Sequence, residues 1–410
     1  MIGIVASFLF LGLLTACALY ITSELSDAFS RIFQLPLRGP KSTGRDKADE
    51  PDPRLTISHP FVGYVLNPRG PDAASNPPNK HGFPGPRQLV QLRSDDAVVI
   101  GITGGSVARD FAINGRKQFV ESLQQYPAFS SKTIDFNVLA IGGFRQPQQL
   151  MALTFALAAG ATFDILINID GFNEVALYPA ENRYFGSSPL YPRNWATRLE
   201  LPKDQLTRLV RGGTYFEMEI ARLDAHIKRK HVIVDALSLY ILNLYRSRLI
   251  KLNAFNKSET LRSLAITNDL ELLGPPFEMQ SDASMYEELA SIWYRNSVLL
   301  HRLSTCNDIK YFHFLQPNQY VMYSKPLSQV ETATAFDEFH PYRKGVLQGY
   351  DYLRSKASSF ANEGLRYKDL TMIFSNEPRT VYRDTCCHFN ELGQQMMSDR
   401  IARTIGEATS

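Results

Sequence analysis

Apolar residues in this chain recur in short unbroken runs, several ending in glycine and followed by a stretch with helical spacing. Ala97-Val98-Val99-Ile100-Gly101-Ile102-Thr103 is the first, and a run of that length and β-branched content predicts a fully buried strand. A helix is expected after it, with Phe111, Phe119, Val120 and Leu123 as core candidates. Asp135-Phe136-Asn137-Val138-Leu139-Ala140-Ile141 predicts a second strand. The spacing of Leu150, Leu153 and Leu157 then predicts a helix from Gln146 to Ala159, stopped by Gly160. Asp164-Ile165-Leu166-Ile167-Asn168-Ile169 predicts a third strand. Strands alternating with helices are the pattern of βαβ units, so the fold class is α/β with a doubly wound parallel sheet.

The pattern changes after Tyr178. A Pro- and Tyr-rich stretch leads into helical segments from Lys203 to Ile227 and from Glu287 to Leu303, which read as a mainly helical insertion at about residues 178–307. The sheet resumes at Lys310-Tyr311-Phe312-His313-Phe314-Leu315. His313 alternates with aromatic residues there and is expected to be a satisfied core histidine. A helix from Tyr342 to Asn362, a short apolar piece from Leu370 to Phe374 and a closing helix from Asn390 to Ile405 complete the domain, 59–410. His81, in a Pro- and Gly-rich loop, is expected to be a surface or packing residue.

The first residues have a different character. From Ile2 to Ile21 there is no charged side chain, which is long enough to span a bilayer, so residues 1–22 read as a membrane anchor or a signal segment. Leu14-Thr15-Ala16-Cys17 is similar to a lipobox and leaves lipidation of Cys17 open. Residues 23–58 read as a tether, being rich in Pro, Gly, Lys and Asp from about 35 to 54. Arg31, Arg38, Lys41 and Arg45 all follow the span, and the side of the membrane stays open.

Composition narrows the function classes. A net charge of +3 over 410 residues is too mild for a nucleic-acid binder, and no nucleic-acid-reading motif is present. No histidine has zinc-type spacing with cysteine or another histidine. A bridge from Cys306 to Cys386 or Cys387 is open, but the expectation is that they stay unbridged, the last two packing as small hydrophobes. Arg222, Lys228, Arg229, Lys230 and His231 read as a solvated helix face, or as a contact with anionic lipid or an acidic polymer.

Candidate chemistry sits where the strands end. Ser106 follows a strand and two glycines, where its hydroxyl could act as a nucleophile or could simply cap a helix. Gly143 follows the second strand and could offer a free N–H to an oxyanion, or could serve a tight turn. Asn173 follows the third strand and offers an amide donor, or could bond its own loop. His388 lies four positions after Asp384. That spacing brings the two side chains together, so that Asp384 could hold the imidazole while its other nitrogen faces Ser106, although a surface pair has the same spacing.

In this order the segments resemble the blocks of the SGNH (GDSL-type) hydrolase superfamily. Thr103-Gly104-Gly105-Ser106 resembles the first block, with Gly105 where the family usually has Asp. Ala140-Ile141-Gly142-Gly143 matches the second, giving Gly143 the oxyanion role with Gly142 as a close alternative. Asp170-Gly171-Phe172-Asn173-Glu174 matches the third, with Glu174 for the usual Asp. Asp384-Thr385-Cys386-Cys387-His388 is one residue longer than the usual final block. Gly63-Tyr64 and His81-Gly82-Phe83 resemble the lead-in of membrane-anchored members.

The resemblance covers roughly residues 60–175 and 308–405 and implies a flavodoxin-like three-layer α/β/α sandwich. It further implies a serine ester hydrolase (an esterase or deacetylase) with Ser106, His388 and Asp384 as catalytic residues and Ser106, Gly143 and Asn173 as the oxyanion hole. No metal or organic cofactor is implied. The expected partners are an acyl ester, with envelope carbohydrate as its alcohol by analogy, and the membrane through residues 2–21. Localisation at the cell envelope follows from the same analogy. An O-acyltransferase with the same triad and a non-catalytic binding protein of the same fold are the alternatives.

Overall fold

The computed structural model describes residues 54–71, 73, 77–91, 94, 96–183, 186–198, 220, 223, 244–253 and 270–409. The expected anchor, nearly all of the tether, nearly all of the helix from Lys203 to Ile227, and the basic cluster at 222–231 lie outside these residues. No helix of the described residues is long and apolar enough to cross a membrane. The chain divides into two compact units, residues 51–199 with 267–410, and residues 1–50 with 200–266. In the second unit, residues 244–253 are helical.

The first unit is built on a parallel sheet. Its strands are β3 (Ala97–Gly104), β4 (Thr133–Val138), β5 (Ile165–Asp170), β6 (Lys310–Leu315) and β7 (Arg366–Asp369), after a separate antiparallel hairpin of β1 (Thr56–His59) and β2 (Gly63–Leu66). The order across the five-stranded sheet is β4-β3-β5-β6-β7, with all neighbours parallel. Every residue of β5 is buried, as is all of β3 except Val98, which is why both read as continuous apolar runs rather than alternating ones.

Helices flank the sheet in two sets. One set is α1 (Ser106–Asn114), α2 (Arg116–Leu123) and, at the C-terminus, the helix Glu391–Thr409, which pack on one another. The other is α3 (Gln148–Ala158), α4 (Phe172–Leu177) and the long helices Asp282–Thr305 and Arg343–Ala357. In chain order these strands run 2-1-3-4-5, the flavodoxin-like winding, so the sandwich expected from the sequence is the fold observed.

Local departures have physical reasons. The helix expected after Ser106 is two helices broken at Gly115, where an added Cβ would lie 2.4 Å from Ser398 Oγ of the C-terminal helix. The apolar piece from Leu370 to Phe374 is a turn. The last strand is the preceding Arg366–Asp369, a half-exposed edge whose polar sequence hides it from a search for apolar runs. His313 is fully buried on β6, with Nε2 donating to Asp170 Oδ1 at 2.7 Å, while its Nδ1 has no partner among the described residues. His81 packs edge-on against Phe155.

Winding of this order creates a switch point. Chain leaving β3 turns toward one layer and chain leaving β5 toward the other, so a crevice opens beyond their carboxyl ends. Ser106 and Asn173 stand there.

Candidate active site

The turn after β3 is made by glycines for two different reasons. Gly104 has φ +137°, a conformation side chains rarely adopt, and a Cβ there would lie 2.2 Å from the Ile169 carbonyl oxygen of β5. Gly105 has an ordinary φ, but an added Cβ would lie 2.1 Å from Asn173 Nδ2. The space a side chain at position 105 would enter is therefore filled by the Asn173 amide. Ser106 is the first residue of α1, so its N–H is one of the donors a helix leaves free, at the positive end of the helix dipole.

Ser106 Oγ is 2.8 Å from His388 Nε2, and His388 Nδ1 is 2.6 Å from Asp384 Oδ2. Burial alone pushes the Asp384 carboxyl up. The hydrogen bond and charge of His388, with the N–H groups of Cys387 and His388, outweigh it and hold the carboxyl well below the usual carboxylate range. Asp384 is therefore ionised and can only accept. The imidazole must carry its proton on Nδ1, which leaves the Nε2 lone pair aimed at the Ser106 hydroxyl.

The lengthened spacing from Asp384 to His388 is absorbed in a turn. Asp384 Oδ1 accepts the N–H groups of Cys386 at 3.0 Å, Cys387 at 3.1 Å and His388 at 3.3 Å. The carboxylate thus organises its own loop with one oxygen and holds the imidazole with the other.

A second set of residues clamps this loop from outside, and the sequence reading passed over it. Gln319 Nε2 donates to the Asp384 carbonyl at 3.0 Å, Tyr320 Oη to the Thr385 carbonyl at 2.6 Å and Asn318 Nδ2 to the Cys386 carbonyl at 3.0 Å. All three donors follow β6, where Gln316-Pro317 had marked only the end of a strand. Farther back, Glu331 Oε1 accepts the N–H groups of Val381 and Tyr382 at 2.9 and 2.8 Å. Glu331 Oε2 lies 3.0 Å from Lys325 Nζ, both side chains fully buried, in ion-pair rather than hydrogen-bond geometry. The ammonium instead donates to the carbonyls of Pro326, Glu377 and Arg379. Nothing in local sequence spacing signals these contacts.

The loop after β4 supplies the remaining donors. Tyr64 Oη, from β2, donates to the Gly142 carbonyl at 2.9 Å. Gly143 has φ +83°, and its N–H meets no acceptor among the described residues. Asn173 Nδ2 donates one proton to the Phe144 carbonyl at 2.7 Å, which ties its amide to the Gly143 loop and leaves the second proton for another acceptor. Glu174 closes the frame: its carboxylate accepts the Gln146 N–H at 3.2 Å, Gln149 Nε2 at 2.9 Å and the Gly171 N–H at 2.8 Å. Burial, with the charge of Asp170, pushes the Glu174 carboxyl up.

Ser106, His388 and Asp384 therefore lie in one hydrogen-bonded line, with Gly142, Gly143 and Asn173 gathered around Gly105 and Ser106. Cys386, Cys387 and His388 could offer a metal ligand atoms within 4.8 Å of one another. His388 Nε2 is engaged with Ser106, however, and burial pushes the Cys387 thiol well above its ordinary pKa. Cys306, Cys386 and Cys387 are all free thiols.

No family model and no curated protein matches the chain. Among solved structures, it is similar to a protein assigned as an acylhydrolase from Bacteroides fragilis, at 11% identity over 79% of this chain and 93% of that one, with a TM-score of 0.35. It is also similar to the acetyl xylan esterase AlAXEase, at 12% identity over 75% of this chain and 98% of that one, with a TM-score of 0.35. Likeness at this level assigns no function to this chain.

Proposed function

We propose that the protein is a serine ester hydrolase of the SGNH type, working through an acyl-enzyme on Ser106. The observation that carries this reading is the continuous line from Asp384 through His388 to Ser106 at the switch point of the sheet. Ser106 Oγ attacks the ester carbonyl carbon while His388 Nε2 takes the hydroxyl proton. Negative charge develops on the carbonyl oxygen, and the Ser106 N–H, the Gly143 N–H and the free proton of Asn173 Nδ2 receive it. Each such donor is worth about 2.7–4 kcal/mol in the transition state. Collapse expels the alcohol, which takes the proton back from His388. Water then attacks the acyl-serine with His388 again as base, releasing the acid and restoring Ser106.

A fluorophosphonate probe and 4-nitrophenyl acetate test the reading together. Wild-type protein is expected to be labelled and to hydrolyse the ester, and Ser106→Ala to lose both while keeping its melting temperature. Folded wild type that takes no label would return the chain to the class of binding proteins.

We further propose that residues 2–21 hold the protein in a membrane, placing this chemistry at the cell envelope. An uncharged run of that length is the support for it.

A further inference from the structure

Near the proposed nucleophile lies a groove of about 520 Å³ whose walls include Thr56, Arg109, Asp110, Gly142, Arg193 and Arg198. A methyl group placed on Gly142 would stand 3.9 Å from both Ser106 Cβ and Arg109 Nη1, so the groove wall at Gly142 adjoins Ser106. Each arginine keeps donors that meet no acceptor among the described residues. Arg109 makes one contact, from Nη2 to Asp110 Oδ1 at 3.3 Å. Arg193 commits Nε and Nη2 to Glu181, both at 2.6 Å, and Nη2 also to Tyr342, leaving Nη1 without an acceptor among the described residues. Arg198 lies over the Tyr64 ring at 3.6 Å, with Nε on the Arg193 carbonyl and Nη1 on Thr56 Oγ1, and has no carboxylate partner among the described residues.

The charges do not cancel. Asp110 and Glu181 are the carboxylates in contact with this cluster, and Asp110 is shared with Arg383, whose Nη2 lies 2.6 Å away. Three guanidinium groups, of Arg109, Arg193 and Arg198, and one carboxylate, Asp110, thus line the groove among the described residues. Partly buried positive charge without a counter-charge is costly. Planar guanidinium edges are suited to carboxylate or phosphate oxygens, and three such groups line this one groove.

We propose that this groove is an anion subsite, and that the preferred substrate carries a carboxylate or phosphate on the alcohol portion next to the ester that Ser106 attacks. The alcohol portion is specified because a volume of this order holds a ligand far larger than a small acyl group. The proposal rests on the ester-hydrolase reading of Ser106 and His388 and adds the class of substrate to it.

Binding separates the two ideas, because Ser106→Ala protein can be titrated without turnover. The probes are acetylated oligogalacturonate, acetylated oligo(glycerol phosphate) and acetylated xylo-oligosaccharide, the last uncharged. At low salt at least one anionic oligomer is expected to bind about tenfold or more tightly than the neutral one, the scale of a charge-assisted hydrogen bond. Whichever anionic oligomer binds better names the group as carboxylate or phosphate. The advantage should shrink as ionic strength rises to about 0.5 M. Adding Arg109→Gln should reduce it about tenfold. Lys117→Gln, which changes an exposed lysine outside the groove, should leave it in place. Equal binding of charged and neutral oligomers, tighter binding of the neutral one, or no binding of any overturns the anion subsite. Failure of Ser106 to take the fluorophosphonate label overturns the hydrolase reading instead.

Discussion

At the level of single residues, the two carboxylate oxygens of Asp384 have separate tasks: Oδ2 orients His388 and Oδ1 gathers three N–H groups of its own loop. Asp384→Asn keeps the size but lets an amide donate to Nδ1, which moves the imidazole proton to the side facing Ser106. The expected result is a loss of about 10³–10⁴-fold in kcat with little change in KM; retention of wild-type kcat would remove Asp384 from the catalytic line. The same carboxyl titrates below its unfolded value of 3.8 in the fold. Its stabilisation is therefore full above that pH and is lost as pH falls below it. Denaturation across this range should show wild type losing its advantage over Asp384→Asn only at the acid end. Gly105→Ala supplies a further test, because its methyl group would collide with the Asn173 amide. Activity should drop about 10²–10³-fold, the loss expected when one oxyanion donor is displaced. Unchanged turnover would show that Asn173 does not serve the oxyanion.

At the level of elements, the sheet sets strand ends side by side, and the loops do the finer positioning. Gly104 lets β3 approach β5, and Glu174 ties the end of β5 to the loop beyond β4. The C-terminal loop has no strand of the main sheet to lean on, and Glu331, Lys325 and residues 318–320 take that role. Glu331→Gln leaves the Lys325 ammonium buried without its counter-charge. Breaking such a pair from one side costs about 3–5 kcal/mol. Chemical denaturation should register that loss, and a variant as stable as wild type would mean the pair does not secure the loop. Strand ends are legible from Ser106, Gly143 and Asn173 because buried strands have a strong apolar signature. The clamp is not legible, since Asn318, Gln319 and Glu331 are ordinary polar residues until the fold brings a distant loop beside them.

At the level of the whole molecule, the proposed site belongs to the unit formed by residues 51–199 and 267–410, and the uncharged run at the N-terminus lies outside the described residues. A chain held by one apolar span should sediment with membranes and resist extraction by alkaline carbonate while yielding to detergent. Release by carbonate would replace the spanning anchor with a peripheral attachment. The groove of arginines likewise has no sequence signature: Arg109 and Arg193 are far apart in the chain and become neighbours of one opening only in the folded unit.

The amino-acid order by itself determined the alternation of strands and helices, the doubly wound α/β class, and the positions where a nucleophile, a base and N–H donors could stand. Those features follow from local periodicity and from residue chemistry, both of which are written along the chain. Only the tertiary structure decided that Ser106 and His388 meet, that Asn173 fills the space beside Gly105, that the turn from Asp384 to His388 aims its imidazole, and that Arg109, Arg193 and Arg198 line one groove. Each of these depends on atoms far apart in sequence and a few ångströms apart in space, a relation that spacing along the chain does not encode.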